Sequence, residues 1–157
     1  MTRADYLERM GDVVRDAGFA VQHVRGDRFH PPWCYTVGLA LVDLPELVVT
    51  GMATARVGAL LEDLAHHYVD HDVPMCEPGQ RFTLRDGLAL EIVELPHPDA
   101  HLETARALFA PRPFRAYQLV WRDDRGRWPW EAGFRGRRGG QPVLGPRTDA
   151  PGMAPTS

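Results

Sequence analysis

The sequence predicts an α+β fold: one domain, with an antiparallel or mixed β-sheet covered by about three helices. Three observations carry this. Helical and strand-like periodicities are mixed along the chain without regular alternation, which argues against a doubly wound parallel sheet. Several strand-like runs are joined by short turns rich in Gly, Pro and Asp, as in hairpins. The 157 residues, 44% apolar and 25% charged, have the size and composition of a globular domain that buries its own core. The domain is placed at 1–146 and a flexible C-terminal tail at 147–157.

The elements follow in order. Thr2 and Asp5 fit a capping box. Tyr6, Met10, Val13, Val14 and Ala17 then recur at helical spacing, and Gly18 closes this first helix. Residues 19–24 alternate as a strand, and 26–32 form a loop with two prolines. Residues 33–41 read as a buried strand interrupted by Gly38. A turn at 43–45 leads into a Val-rich strand, 46–50. Val57, Leu60, Leu61, Leu64 and Tyr68 form the apolar stripe of the second and longest helix, which ends before Pro74. Residues 81–84 and 88–95 read as a hairpin across Arg85-Asp86-Gly87. Asp99 is expected to cap a third helix, 100–109. Residues 116–122 form the last strand, followed by a turn at 124–126.

Composition narrows the function classes. The net charge of −3 gives no global signature of nucleic-acid or membrane binding. No apolar run has membrane-span length, and the N-terminal residues carry no apolar signal region. Two cysteines, Cys34 and Cys76, cannot make a disulfide framework, so reduced thiols and a cytoplasmic location are expected. Lysine is absent, so every cationic side chain is Arg, the usage of a GC-rich genome. Charge is segregated: residues 111–147 hold nine Arg against three acids, and the rest nine Arg against eighteen acids. The later part of the chain therefore suits the acidic body or an anionic partner. The only serine is Ser157, in the tail, which excludes serine-nucleophile hydrolysis. No Gly-rich phosphate loop precedes a helix, and no cofactor is expected.

Two segments identify a family resemblance. One is Cys34-Tyr35-Thr36-Val37-Gly38-Leu39 followed by Leu44-Pro45-Glu46-Leu47. The other is Gln118-Leu119-Val120-Trp121 with Asp123, then Gly126, Trp128-Pro129-Trp130-Glu131 and Gln141-Pro142. From about Gly18 to Leu144 the chain resembles the bacterial family known as domain of unknown function 4262. One departure is Arg122, where the family tends to have Pro. The resemblance implies no settled activity.

Residue chemistry offers several candidates. Tyr35, Thr36, Gln118, Trp121, Trp128 and Trp130 would build a concave aromatic site with Arg nearby for an anionic group, since indole faces bind cations and flat ligands. Core and turn packing is the competing role for these aromatics. Glu46, Asp123 and Glu131 are the candidates for acid/base work; turn capping and ion pairs with Arg are the alternative, for Asp124 as well. His67 and His71, four apart on the second helix, have the geometry of two metal ligands, with Asp72 or Cys76 as a third. Interaction with the helix dipole is the alternative there. His30 could activate Cys34, and His97 with His101 could hold a metal or an anion at a helix start.

The expected function is that of an accessory protein binding a small molecule or a protein partner, anionic in one version. The alternative is an enzyme on a small polar substrate, using the carboxylates or a His-based metal site. Whether the chain is an enzyme stays open at this stage. Neither nucleic acid nor membrane is expected as a partner, and homo-oligomerisation is left open.

Overall fold

The structure, a computed structural model, describes residues 1–71, 74–75, 77–110, 112–135 and 140–148. Among the described residues, a mixed six-stranded sheet with four α-helices forms an α+β arrangement. The strands are β1 (Ala20–Val24), β2 (Trp33–Val37), β3 (Glu46–Thr50), β4 (Arg81–Thr83), β5 (Ala89–Glu94) and β6 (Ala116–Trp121). Their order is β1-β2-β3-β6-β5-β4. Only β3 and β6 run parallel, with Glu46 beside Ala116 and Val48 beside Gln118. Every other pair is antiparallel.

Helix α1 (Arg3–Ala17) begins at the expected capping box, with Thr2 and Asp5 bonded reciprocally, and ends at Gly18 in a left-handed conformation (φ 91°). Helix α2 (Thr54–His71) lays Val57, Leu61, Leu64, Ala65 and Tyr68 on one sheet face, against Cys34, Leu47, Val49, Leu90, Ile92, Leu119 and Trp121. On the other face, Met10 and Val14 of α1 and Ala105 of α4 (Glu103–Phe109) cover Tyr35, Val37, Val48 and Ala116. Side chains alternate along strands, so Ala89, Val93 and Val120 continue that second face, where Trp128 covers them.

Two expected elements differ. The strand foreseen at 33–41 stops at Val37, and Leu39–Val42 forms a 3-10 turn. Its cause is Glu46, which gathers the N–H groups of Gly38, Leu39 and Ala40 on one carboxylate. Gly38 has φ 128° and presses on α1: a Cβ there would lie 2.7 Å from Gly18 O. The helix foreseen at 100–109 is two helices, α3 (Pro98–His101) and α4, broken at Leu102. Asp99 is not its cap; it sits in the first turn of α3, after Pro98. The Tyr35 hydroxyl instead accepts a hydrogen bond from Thr104 N at the start of α4 (3.0 Å).

Candidate functional site

The candidate acids sit where backbone N–H groups need them. Glu46 is fully buried and accepts from the Thr36 hydroxyl (2.8 Å) and from the N–H groups of Gly38 (2.9 Å), Leu39 (3.1 Å) and Ala40 (3.3 Å). Thr36 Oγ1 in turn accepts from Leu47 N. Burial pushes the Glu46 carboxyl up to about 7, against the pull of those four donors. Asp123 takes N–H bonds from Arg125, Arg127 and Arg135 at 2.7–2.9 Å. Burial works against its charge, but these donors outweigh it and hold the carboxyl below its ordinary value. Glu131 accepts from Trp128 N (3.0 Å) and closes the same turn.

Glu46 lies beside the first residue of β6, whereas Asp123 follows its last. At about 3.3 Å per residue the two stand on the order of 20 Å apart. The three carboxylates therefore do not converge on one cleft.

The six residues expected to line one concave surface divide between roles. Thr36 belongs to the Glu46 cluster, and Tyr35 receives α4. Trp121 packs on the α2 face against Phe134, its indole N–H donating to Thr50 O (2.9 Å). On the opposite face Gln118 bonds Thr50, Pro142 and Leu144, and Trp128 packs with Trp130. There Trp128 and Trp130 stack with planes 4° apart and ring centres 5.5 Å apart. Arg81 lies over Trp128 (4.5 Å) and Arg147 over Trp130 (3.6 Å). Both arginines end on Glu91, a buried carboxylate. Burial opposes its charge, but the Arg147 and Arg81 hydrogen bonds win and hold it below its ordinary value. Arg147, placed in the tail on sequence grounds, is thus part of a closed Arg–Trp–Trp–Arg stack.

The histidines separate from the expected partners. His30 bonds Asp27 (3.1 Å), not Cys34. Cys34 faces His23 across the β1–β2 pair, Sγ to Nδ1 3.4 Å. Burial pushes that thiol up to about 12, far from a reactive thiolate. The His67 and His71 rings lie 5.6 Å apart on exposed helix surface. Among the described residues no three His, Cys, Asp or Glu groups gather as metal ligands; Asp72 and Cys76 lie outside those residues. His97 precedes α3, while His101 turns edge-on to Trp33 (6.5 Å).

One open cleft collects residues of functional character. Its volume is about 270 Å³, and it is lined by His30, Pro31, Trp33, Thr50, His101, Pro142 and Leu144. Two imidazoles and a half-buried indole line it, and the Thr50 hydroxyl beside them is bonded to Pro142 O and Gln118 Nε2.

The comparisons agree with the motifs. The model of the family described as Domain of unknown function (DUF4262) matches residues 13–135. The chain belongs to the DUF4262 family. The DUF4262 match includes the Tyr35–Leu47 segment, the Gln118–Glu131 segment and five of the seven cleft residues; Gln141 and Pro142 lie beyond it. No curated protein and no solved structure matches the chain. No helix among the described residues is long and apolar enough to cross a membrane.

Sequence reasoning missed Glu91, Thr50 and Trp33. Glu91 carried a signal: it alternates with Ala89 and Val93, so an acid occupies an otherwise apolar sheet face. Trp33 and Thr50 carried none, since their meeting depends on the β2–β3 register.

Proposed function

We propose that this DUF4262 chain is a non-catalytic binding module that takes a small, flat, polar molecule in the cleft between β2, α3 and residues 142–144. One observation carries the reading: Trp33, His30 and His101 line one open cleft, where His30 also bonds Asp27 and His101 lies edge-on to Trp33. The indole supplies a stacking face, the imidazoles supply donors or acceptors, and Pro31, Pro142 and Leu144 supply apolar walls. A cleft of about 270 Å³ is at the small end of ligand sites, near 300 Å³, which suits a single-ring compound.

Catalysis by acid/base chemistry has one supporting feature. The Glu46 carboxyl, at about 7, has the value a general base needs. Both of its oxygens, however, are taken by the Thr36–Ala40 donors, which favours a structural role.

A fragment screen read by amide chemical shifts tests the binding reading. Hits should move the Thr50, His101 and Leu144 amides and quench Trp33 emission, and Trp33→Phe should abolish the quenching. Hits that cluster only elsewhere, or a full set of single-ring fragments without one hit at the cleft, would contradict it.

A further inference from the structure

Residues 140–147, outside any helix or strand, run over β3, β6 and β5 as a strap held by side chains of the sheet. Thr50, Gln118 and Glu91 lie at staggered levels on one face of the neighbouring strands β3, β6 and β5, exposed by only 3%, 0% and 2%. All three turn to the strap. The Thr50 hydroxyl donates to Pro142 O (2.7 Å). The Gln118 amide brackets the strap's main chain: Nε2 donates to Pro142 O (2.7 Å), and Oε1 accepts from Leu144 N (2.7 Å). Glu91 receives the Arg147 guanidinium twice, from Nε (2.8 Å) and Nη2 (3.0 Å), and Trp130 carries its flat face. Small residues let the main chain come close: a Cβ at Gly51 would lie 2.5 Å from Gly140 O, and one at Gly145 would meet Glu94 O.

The chemistry of these contacts divides in two. Bonds to Pro142 O and Leu144 N involve main-chain groups that every extended segment presents, so they hold without selecting a sequence. The Glu91–Trp130 corner selects for arginine, because a planar guanidinium is needed to stack and to donate twice to one carboxylate. The strap's apolar contribution is small, since Val143 and Leu144 are only partly buried. The strap adds no strand to the sheet, so its release leaves every strand-to-strand pairing in place. A face needing only a cover would be covered at less desolvation cost by apolar side chains.

We infer that this face is a peptide-recognition groove, which accepts an extended segment of a partner protein carrying an arginine three residues after an apolar residue, in place of the chain's own Leu144 and Arg147. The groove residues Thr50, Glu91, Gln118 and Trp130 all lie within the DUF4262 match, and the strap lies outside it. The inference does not need the cleft to bind a ligand, but the two share Thr50, Pro142 and Leu144, so displacing the strap would remove two of the cleft's walls.

The test uses the full-length chain and a fluorescein-labelled synthetic peptide of residues 140–148, Gly-Gln-Pro-Val-Leu-Gly-Pro-Arg-Thr. Anisotropy is measured with the wild type, with Arg147→Ala and with Gln141→Ala. Both variants loosen the resident strap and should bind the peptide about tenfold more tightly than the wild type, because a resident competitor lowers apparent affinity by the unoccupied fraction. A peptide with Ala for its Arg should bind at least about tenfold more weakly. The inference is overturned if neither variant binds at millimolar peptide, or if the Ala peptide binds as well as the Arg peptide. Should the variants fail to fold, the wild type decides: excess Arg peptide must speed hydrogen exchange at the Leu144 amide, and unchanged exchange refutes the groove.

Discussion

Gln141 grips the backbone of Trp121 with both ends of its side-chain amide. Oε1 accepts from Trp121 N and Nε2 donates to Trp121 O, each at 2.9 Å. Pairing of β3 with β6 ends at Val48 and Gln118, so no strand satisfies these Trp121 groups. A single side chain thus acts as a one-residue strand. Gln141→Ala should cost about 2 kcal/mol, the penalty for two buried backbone groups left unpaired. Because Gln118 holds the same strap from the other side, adding Gln118→Ala should cost less than the two changes summed. Urea unfolding of both single variants and the double variant checks this; strict additivity would mean the strap is not one unit.

Glu46 makes stability depend on pH in an unusual direction. Its carboxyl rises from 4.5 to about 7 on folding, so the folded state binds the proton more tightly. That contribution is complete below pH 4.5 and fades as pH climbs through 7, by roughly 3 kcal/mol at most. Glu46→Gln mimics the protonated group and removes the titration. The stability advantage of wild type over this variant should therefore shrink from pH 4.5 to 7, and an advantage that grows over that range would contradict the assignment. Glu91 and Asp123 act in the opposite sense, since their carboxyls are lowered on folding. Their contributions are lost as pH falls through the folded-state values.

The Cys34 thiol should be chemically silent in the native state. It is fully buried against His23 and raised to about 12. In a Cys76→Ser background, iodoacetamide at neutral pH should label Cys34 only after denaturation. Native labelling at the rate of a free thiol would show that the β1–β2 edge opens to reagent.

Glu91 binds two arginines that are themselves half-exposed. Glu91→Ala should cost about 2–4 kcal/mol, more than loss of either arginine alone, because it leaves both without the anion. Arg147→Lys should not restore the loss seen in Arg147→Ala, since an ammonium cannot stack flat on Trp130 and donate twice. Thermal unfolding, with near-ultraviolet circular dichroism of the Trp128–Trp130 pair, measures both.

Legibility in the sequence followed locality. The Thr2 box, the Gly18 stop, the stripe of α2 and the β4–β5 hairpin depend on neighbours within a few residues, and all were readable. The strand expected at 33–41 ends early because its end is set by Glu46, several residues later. Periodicity over 100–109 suggests one continuous helix, whereas Leu102 is buried at a break and a tyrosine from β2 receives the second half. At the candidate site, the tryptophans and Gln118 were legible as unusual residues. Their partners were not, because Glu91, Thr50 and Arg147 come from three other parts of the chain and meet only through the β3–β6–β5 order.

Thr50, Gln118 and Glu91 are expected to hold residues 140–147 as a separable element on an intact sheet. Amide hydrogen exchange at Leu144, compared between wild type and Gln118→Ala, tests it most directly. Leu144 should be protected in the wild type, less strongly than Leu119 and Val120, and Gln118→Ala should abolish its protection while β5 and β6 stay protected. An unprotected Leu144 in the wild type, or loss of protection across the whole sheet in the variant, would contradict it.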